Sequence, residues 1–170
     1  MLVARAQLNF IAELVARFER DESVMRAVAD YQSQYIAIIA LLRSVGHVFE
    51  KVDCSDAGRR DWSKARWRIW KQEPIFGDFI EPTRNALLKE FQGGLQLHSD
   101  AFGSIAVVAD PSMPGGASRV AAFDAPEFRD LAGRPVLPQI HAALAFWDRC
   151  LREAEAEAQF GEASGPSHHR

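Results

Sequence analysis

The sequence lacks any long uncharged apolar run. Its first twenty residues, MLVARAQLNFIAELVARFER, carry Arg5, Glu13 and Arg17 within their apolar pattern, which breaks a secretory h-region and reads as an amphipathic helix of the mature chain. Nothing later is long and apolar enough to span a bilayer, so no membrane association is expected. Cysteine is scarce: Cys54 and Cys150 stand far apart, with no CxxC and no histidine at metal spacing. They read as free thiols of a reducing compartment, hence a cytoplasmic protein, with a long-range disulfide as the alternative. A strong charge of either sign is also missing, because 20 basic against 23 acidic residues leave a net charge of −3. Any affinity for nucleic acid must then come from a local patch. The P-loop, the Rossmann glycine pattern, HExxH and GxSxG are all absent, which removes the commonest nucleotide, metalloprotease and hydrolase plans. His98, His141, Asp100 and Asp110 are scattered and His168 and His169 close the chain, so neither metal nor cofactor is expected.

Helical periodicity is what the sequence has in quantity. At 170 residues and 48% hydrophobic, the chain suits one domain with a core of its own. Leu8, Ile11, Leu14, Val15 and Phe18 share one face of a first helix. Val24, Val28, Tyr31, Tyr35, Ile38, Leu42, Val45, Phe49 and Val52 step by fours and threes along a long second one, capped by Asp21 or Ser23 and stopped by the polar run 53–58. A third helix is predicted over 59–72. A fourth region, 74–91, holds Pro82, where the helix kinks or restarts, and ends at Gly93-Gly94. SIAVVAD (104–110) and SRVAAFD (118–124) then read as a β-hairpin with a long loop. Leu137, Ile140, Leu144, Trp147 and Leu151 give a last helix to about residue 159, and residues 161–170 read as a disordered tail. The expected fold is mainly α: an up-and-down bundle of four to five helices over residues 1–160, with a small β-hairpin inserted at 104–124.

Within this frame IEPTRNALLKEF (80–91) sets Arg84, Asn85 and Lys89 along one helix. With the aromatic-rich WSKARWRIW and PIFGDFIEPT ahead of it, RNALLK resembles the HEPN superfamily of helical bundles, whose usual motif is Arg, a polar residue, three variable residues and His. Small uncharacterised bacterial members carry LRSV on the long helix and RN with a nearby Lys, and LRSVGHVFEK (42–51) is similar to them. The resemblance covers residues 24–92 and leaves the hairpin out. It implies a homodimer in which two motifs face each other, and metal-independent RNA cleavage through the 2′-OH. Arg84 would hold the phosphate and Asn85 would orient it, since arginine's planar fork donates paired hydrogen bonds and stays charged. Histidine would move the proton. Lys89 stands where that histidine belongs, and a lysine in water, with a pKa of about 10.4, binds phosphate without serving as a base.

Two further constellations bear on this site. Arg43, His47 and Glu50 share one face of the long helix, where His47 would replace the missing base; the plainer reading is a surface Arg–Glu network. Residues 51–71 hold seven basic residues against three aspartates, a local net of +4, with Arg60, Lys64, Arg68 and Lys71 on one face and Trp62, Ala65 and Ile69 opposite. Such a stripe fits an RNA backbone, with Trp67 the nearest ring, or simply keeps a tryptophan-rich helix soluble. Arg84 and Lys89 equally suit a solvated helix face. The expected function is a HEPN-like protein that binds RNA or a nucleotide phosphate at an RNxxxK site without cutting. The alternatives are an active ribonuclease of a toxin or defence system, and a structural helical dimerisation module.

Overall fold

The computed structural model describes residues 1–20, 28–90, 92, 94–98, 107–109, 118–120, 127–130 and 132–157. Among them are five α-helices: α1 (Val3–Arg20), α2 (Val28–Val48), α3 (Ala57–Trp70), α4 (Glu81–Lys89) and α5 (Val136–Glu155). Four three-residue strands lie between α4 and α5: β1 (Gln96–His98), β2 (Val107–Ala109), β3 (Ser118–Val120) and β4 (Glu127–Arg129). The fold is mainly helical, a bundle with a small β insertion, as the periodicity predicts.

Contacts between helices fix the topology. Val3 and Ala4 meet Asp53, Gln7 meets Ser44 and the Phe18 ring meets Tyr31, so α1 and α2 run antiparallel. Arg43 reaches Glu81 while Gln32 accepts the Leu95 N–H, so α4 runs antiparallel to α2. Arg5 pairs with Asp148 and Glu155 and His141 meets Glu19, so α5 runs antiparallel to α1. These four helices form the up-and-down bundle. Helix α3 packs on the bundle through its tryptophans, with Trp67 stacked on Trp147 of α5 and Trp62 and Trp70 against the Phe49 ring.

The long seam is the spine of the core. Tyr31, Tyr35, Ile38, Leu42, Val45 and Phe49 are all buried. Burial of each is worth roughly 1.5–3 kcal/mol, so packing, and not the modest helix propensity of valine, isoleucine and tyrosine, holds α2 together. Val52 departs from the expected seam and is half exposed. The physical reason is a π-helical segment, Phe49–Asp53, that widens the helix and shifts its phase. Asp53 takes the inward position instead, and its carboxylate accepts hydrogen bonds from the N–H groups of Val3 (2.8 Å) and Ala4 (2.9 Å). Helix α1 has no acidic residue in its first turn, so its free N–H groups and positive dipole end are satisfied by a residue about fifty positions away. The expected caps Asp21 and Ser23, together with Val24, lie outside the described residues.

The helical run formed by α2 and its π-helical extension ends at Asp53, the first of the polar residues 53–58, and the same polar run starts α3. Asp56 is its N-cap, accepting the Arg59 N–H at 2.9 Å, so the helix begins at Ala57 and closes at Trp70, two residues earlier at each end than expected. The Pro82 question resolves as a restart. A second π-helical segment, Ile75–Ile80, runs straight into α4 with Pro82 in its first turn. There the missing N–H and the ring's clash with the carbonyl four residues back cost least. Helix α4 closes at Lys89, short of the expected stop at Gly93-Gly94. Gly94, at φ +148°, lies in the connection to β1, and a Cβ there would lie 2.8 Å from Gln32 Nε2. Glycine therefore lets the chain turn tightly against α2.

The predicted hairpin is present in its described part: β2 pairs antiparallel with β3, Val108 opposite Arg119. A second pair was not foreseen. β1 pairs antiparallel with β4, Leu97 opposite Phe128, and Phe128 is buried 5.1 Å from the Phe18 ring and 4.8 Å from Tyr31, so β4 is fastened to the bundle. Asp130 then closes the turn into α5, accepting N–H groups from Ala132 and Arg134 and pairing with the Arg134 guanidinium. Helix α5 buries Val136, Ile140, Ala143, Phe146, Trp147, Cys150, Leu151 and Ala154, and ends at Glu155, before the predicted 159. Residues 161–170 lie outside the described residues.

Candidate functional site

Helix α4 presents Arg84 and Asn85 half-buried and Lys89 exposed. The Arg84 guanidinium donates from Nη1 to Asn85 Oδ1 at 3.0 Å. Among the described residues Arg84 and Lys89 have no carboxylate partner. Asparagine as a neutral acceptor directs the fork without cancelling its charge, leaving further N–H donors for an oxyanion. Five residues of α-helix place Arg84 and Lys89 about 140° apart. The end of α4 is looser, because the Glu90 N–H bonds to the Asn85 carbonyl five residues back, and this unwinding narrows the angle. The two cations therefore flank one edge of the helix instead of converging on a point.

The long-helix constellation is divided by the fold. Arg43 leaves its own helix: its guanidinium lies 5.4 Å from the Phe76 ring centre and 5.8 Å from that of Trp67, with Nη2 3.4 Å from Glu81 Oε1. Glu50 pairs with Lys51, so the Arg–Glu network on one face does not form. His47 is exposed and, among the described residues, makes no hydrogen bond or ion pair. Since α2 and α4 are antiparallel and Arg43 meets the first residue of α4, His47 lies one turn beyond that contact, in the direction away from Arg84. Seven residue rises, about 10 Å along the axis, separate their levels.

Helix α3 does present Arg60, Lys64, Arg68 and Lys71 outward, all exposed. Arg60 donates to the Asp56 carbonyl and Lys64 makes a 3.4 Å contact with Asp61. Arg68 and Lys71 have no partner among the described residues. The apolar face differs from the expected one. Ala65 and Ile69 are exposed, Trp62 is half-buried, and the inward residues are Ser63 and Trp70. Trp67 is committed to the core: its ring stacks on Trp147 (6.0 Å, 16°) and meets Phe76 edge-on at 5.2 Å. It therefore has no freedom to stack on a base.

Glu81 is the residue that the sequence reading passes over, although it stands within the quoted stretch. An acid in the first turn of a helix reads as a dipole complement, and only the fold shows that it faces Arg43. A cleft of about 500 Å³ between the end of α3 and α5 is a second unforeseen feature, lined by Ile69, Trp70, Glu73, Arg149, Arg152 and Glu153. Its charges are paired, Arg149 with Glu73 and Arg66 with Glu153, and the Trp70 indole donates to Glu153 at 3.0 Å.

Cys54 and Cys150 are free and buried. Burial pushes the thiols up to about 11 and about 12, which keeps both as inert thiols. Among the described residues no three His, Cys, Asp or Glu side chains converge to hold a metal ion, and no helix is long and apolar enough to cross a membrane. No family model, curated protein or solved structure matches the chain, so the HEPN resemblance rests on the quoted stretches of α2, α3 and the run into α4 alone.

Proposed function

We propose that this chain is a HEPN-like, homodimeric protein that binds RNA or a nucleotide phosphate at Arg84, Asn85 and Lys89 without cleaving it. The observation that carries the reading is Arg84, whose guanidinium is half-buried, directed by Asn85 at 3.0 Å and free of any carboxylate among the described residues. A cation held by a neutral acceptor is poised for an anion from outside. Lys89 adds three donors and, as an ammonium, no acceptor. A base is what cleavage still needs, and His47 lies a turn in the wrong direction to supply it within one subunit.

Labelled RNA incubated with the purified protein without metal, beside Arg84→Ala, tests this. Intact RNA, bound in a salt-sensitive way and released about tenfold or more readily by the variant, is the expected result, since a charge-assisted hydrogen bond contributes roughly 1.5–3 kcal/mol. Cleavage that Arg84→Ala abolishes would replace the binding reading with the ribonuclease one. Absence of any salt-sensitive binding would leave the helical dimerisation module.

A further inference from the structure

We infer that the occupant is a polymeric phosphodiester strand, held along a basic track that runs from α3 across Arg43 to Arg84, and not a mononucleotide. The inference rests on the phosphate-binding reading of Arg84 and extends it. Arg60, Lys64, Arg68 and Lys71 lie within about 80° of one another on the helix and span about 16 Å along it. All four are exposed. Trp67 borders the stripe on its inner side, Arg43 lies over the Trp67 ring, and the same guanidinium reaches Glu81 one turn before Arg84. Stripe, Arg43 and Arg84 therefore follow one another across the junction of α3, α2 and α4. At the stripe's end, the Lys71 carbonyl lies 3.8 Å from where a Cβ on Gly77 would stand, beside the π-helical segment that feeds α4.

Charge and packing select the occupant. A run of single positive charges spread over more than one helix matches a ligand that carries one negative charge per unit of length, whereas a mononucleotide touches only one end of it. Trp67 is closed off by Trp147 and Phe76, so the track offers no ring to a base and recognition is of the backbone alone. Sequence preference should then be weak. Asp61, Asp78 and Glu81 are acidic residues along the path, and the 3.4 Å contacts of Lys64 to Asp61 and of Arg43 to Glu81 draw on the charge of those two cations.

Fluorescence anisotropy with labelled oligouridylates of rising length, from a dinucleotide to a dodecamer, and with a deoxythymidine dodecamer, tests the inference on the full chain. Affinity is expected to climb with length, and six contacts imply a slope of log affinity against log salt of about −4 for a single strand. The R68E/K71E pair should make that slope shallower by about 1.4, while R17E/R20E at the end of α1, with the same change in net charge, should leave it unchanged. Glu81→Gln, which removes an acid and releases Arg43, should tighten binding; weaker binding would remove Arg43 from the track. Ribose and deoxyribose strands each support the track, and a preference for ribose identifies RNA. A dinucleotide that binds as tightly as the dodecamer, or an R68E/K71E slope equal to wild type while Arg84→Ala still abolishes binding, overturns the track and leaves the Arg84 site standing. Binding of no oligonucleotide at all overturns both.

Discussion

Gly46 sits in the interior of α2, where glycine costs about 0.8–1.0 kcal/mol relative to alanine, and its replacement probes how α3 is fastened to the bundle. A Cβ at this position would lie 2.6 Å from Cη2 and Cζ3 of Trp67 and 2.7 Å from Cη2 of Trp147. Carbon atoms prefer about 3.5–4.0 Å, so each ring must retreat by about 1 Å. Neither has room, since Trp147 is fully buried and the two rings are stacked 6.0 Å apart at 16°. Overpacking of this kind costs about 1–3 kcal/mol; with two stacked rings to displace, about 2–3 kcal/mol applies, and the helical gain of about 1 kcal/mol leaves an expected loss of about 1–2 kcal/mol for Gly46→Ala. For a chain of this size that is a fall in Tm of roughly 2–8 °C. Urea unfolding followed by tryptophan fluorescence should show a lower midpoint at constant m. Gly77→Ala is the control, because its Cβ would meet only the Lys71 carbonyl, at 3.8 Å, and it should be no less stable than wild type, with a gain of up to about 1 kcal/mol. In a Trp67→Leu background the penalty of Gly46→Ala should shrink, which isolates the contact. A Gly46→Ala protein as stable as wild type would refute the close approach of Trp67 to α2, and with it the order of cations across Arg43.

Asp53→Ala should cost about 2–3 kcal/mol, because two N–H groups of α1 lose a charged acceptor at 2.8 and 2.9 Å; amide exchange should quicken in the first turn of α1, and Asp53→Asn should recover about half. Burial holds the Cys54 and Cys150 thiols at about 11 and about 12, above the ordinary 9.0. The unfolded chain therefore releases these protons first. Stability from the two thiols is complete below about pH 9 and declines as pH rises toward those values, which urea midpoints across that range would show, and a thiol reagent at pH 8 should react only as fast as the protein opens. Burial alone would raise the pKa of Asp130, but hydrogen bonds and the charge of Arg134 outweigh it and hold the carboxyl below its usual 3.8. Its contribution is present above that ordinary value and lost as pH falls below it. Asp130→Asn should flatten the acid limb of a Tm profile against pH, and an unchanged limb would argue against the turn's role.

What was legible in the sequence follows from how far each signal reaches. The seam from Tyr31 to Phe49 is a repeated local pattern, and a period written many times survives any one exception. The exception itself, Val52 turned outward and Asp53 inward, depends on one π-helical turn, which no period of 3.6 encodes. The β1–β4 pair was missed for the opposite reason. Three residues such as Gln96–His98 are too short to show alternation, and their partner lies about thirty positions away, beyond the inner hairpin. At the candidate site, the residues that matter were visible as types while their partners were not. Arg43 reads as a surface cation from its own helix, yet its environment comes from Trp67, Phe76 and Glu81 on other elements. Spacing places a side chain on a face; only the packing of α2, α3 and α4 decides what that face meets. Thus His47, one turn from Arg43, looks like an available base in sequence and is carried away from Arg84 by the antiparallel sense of α2 and α4. The same geometry brings Trp67 of α3, which borders the stripe, and Glu81 of α4, one turn before Arg84, to one guanidinium.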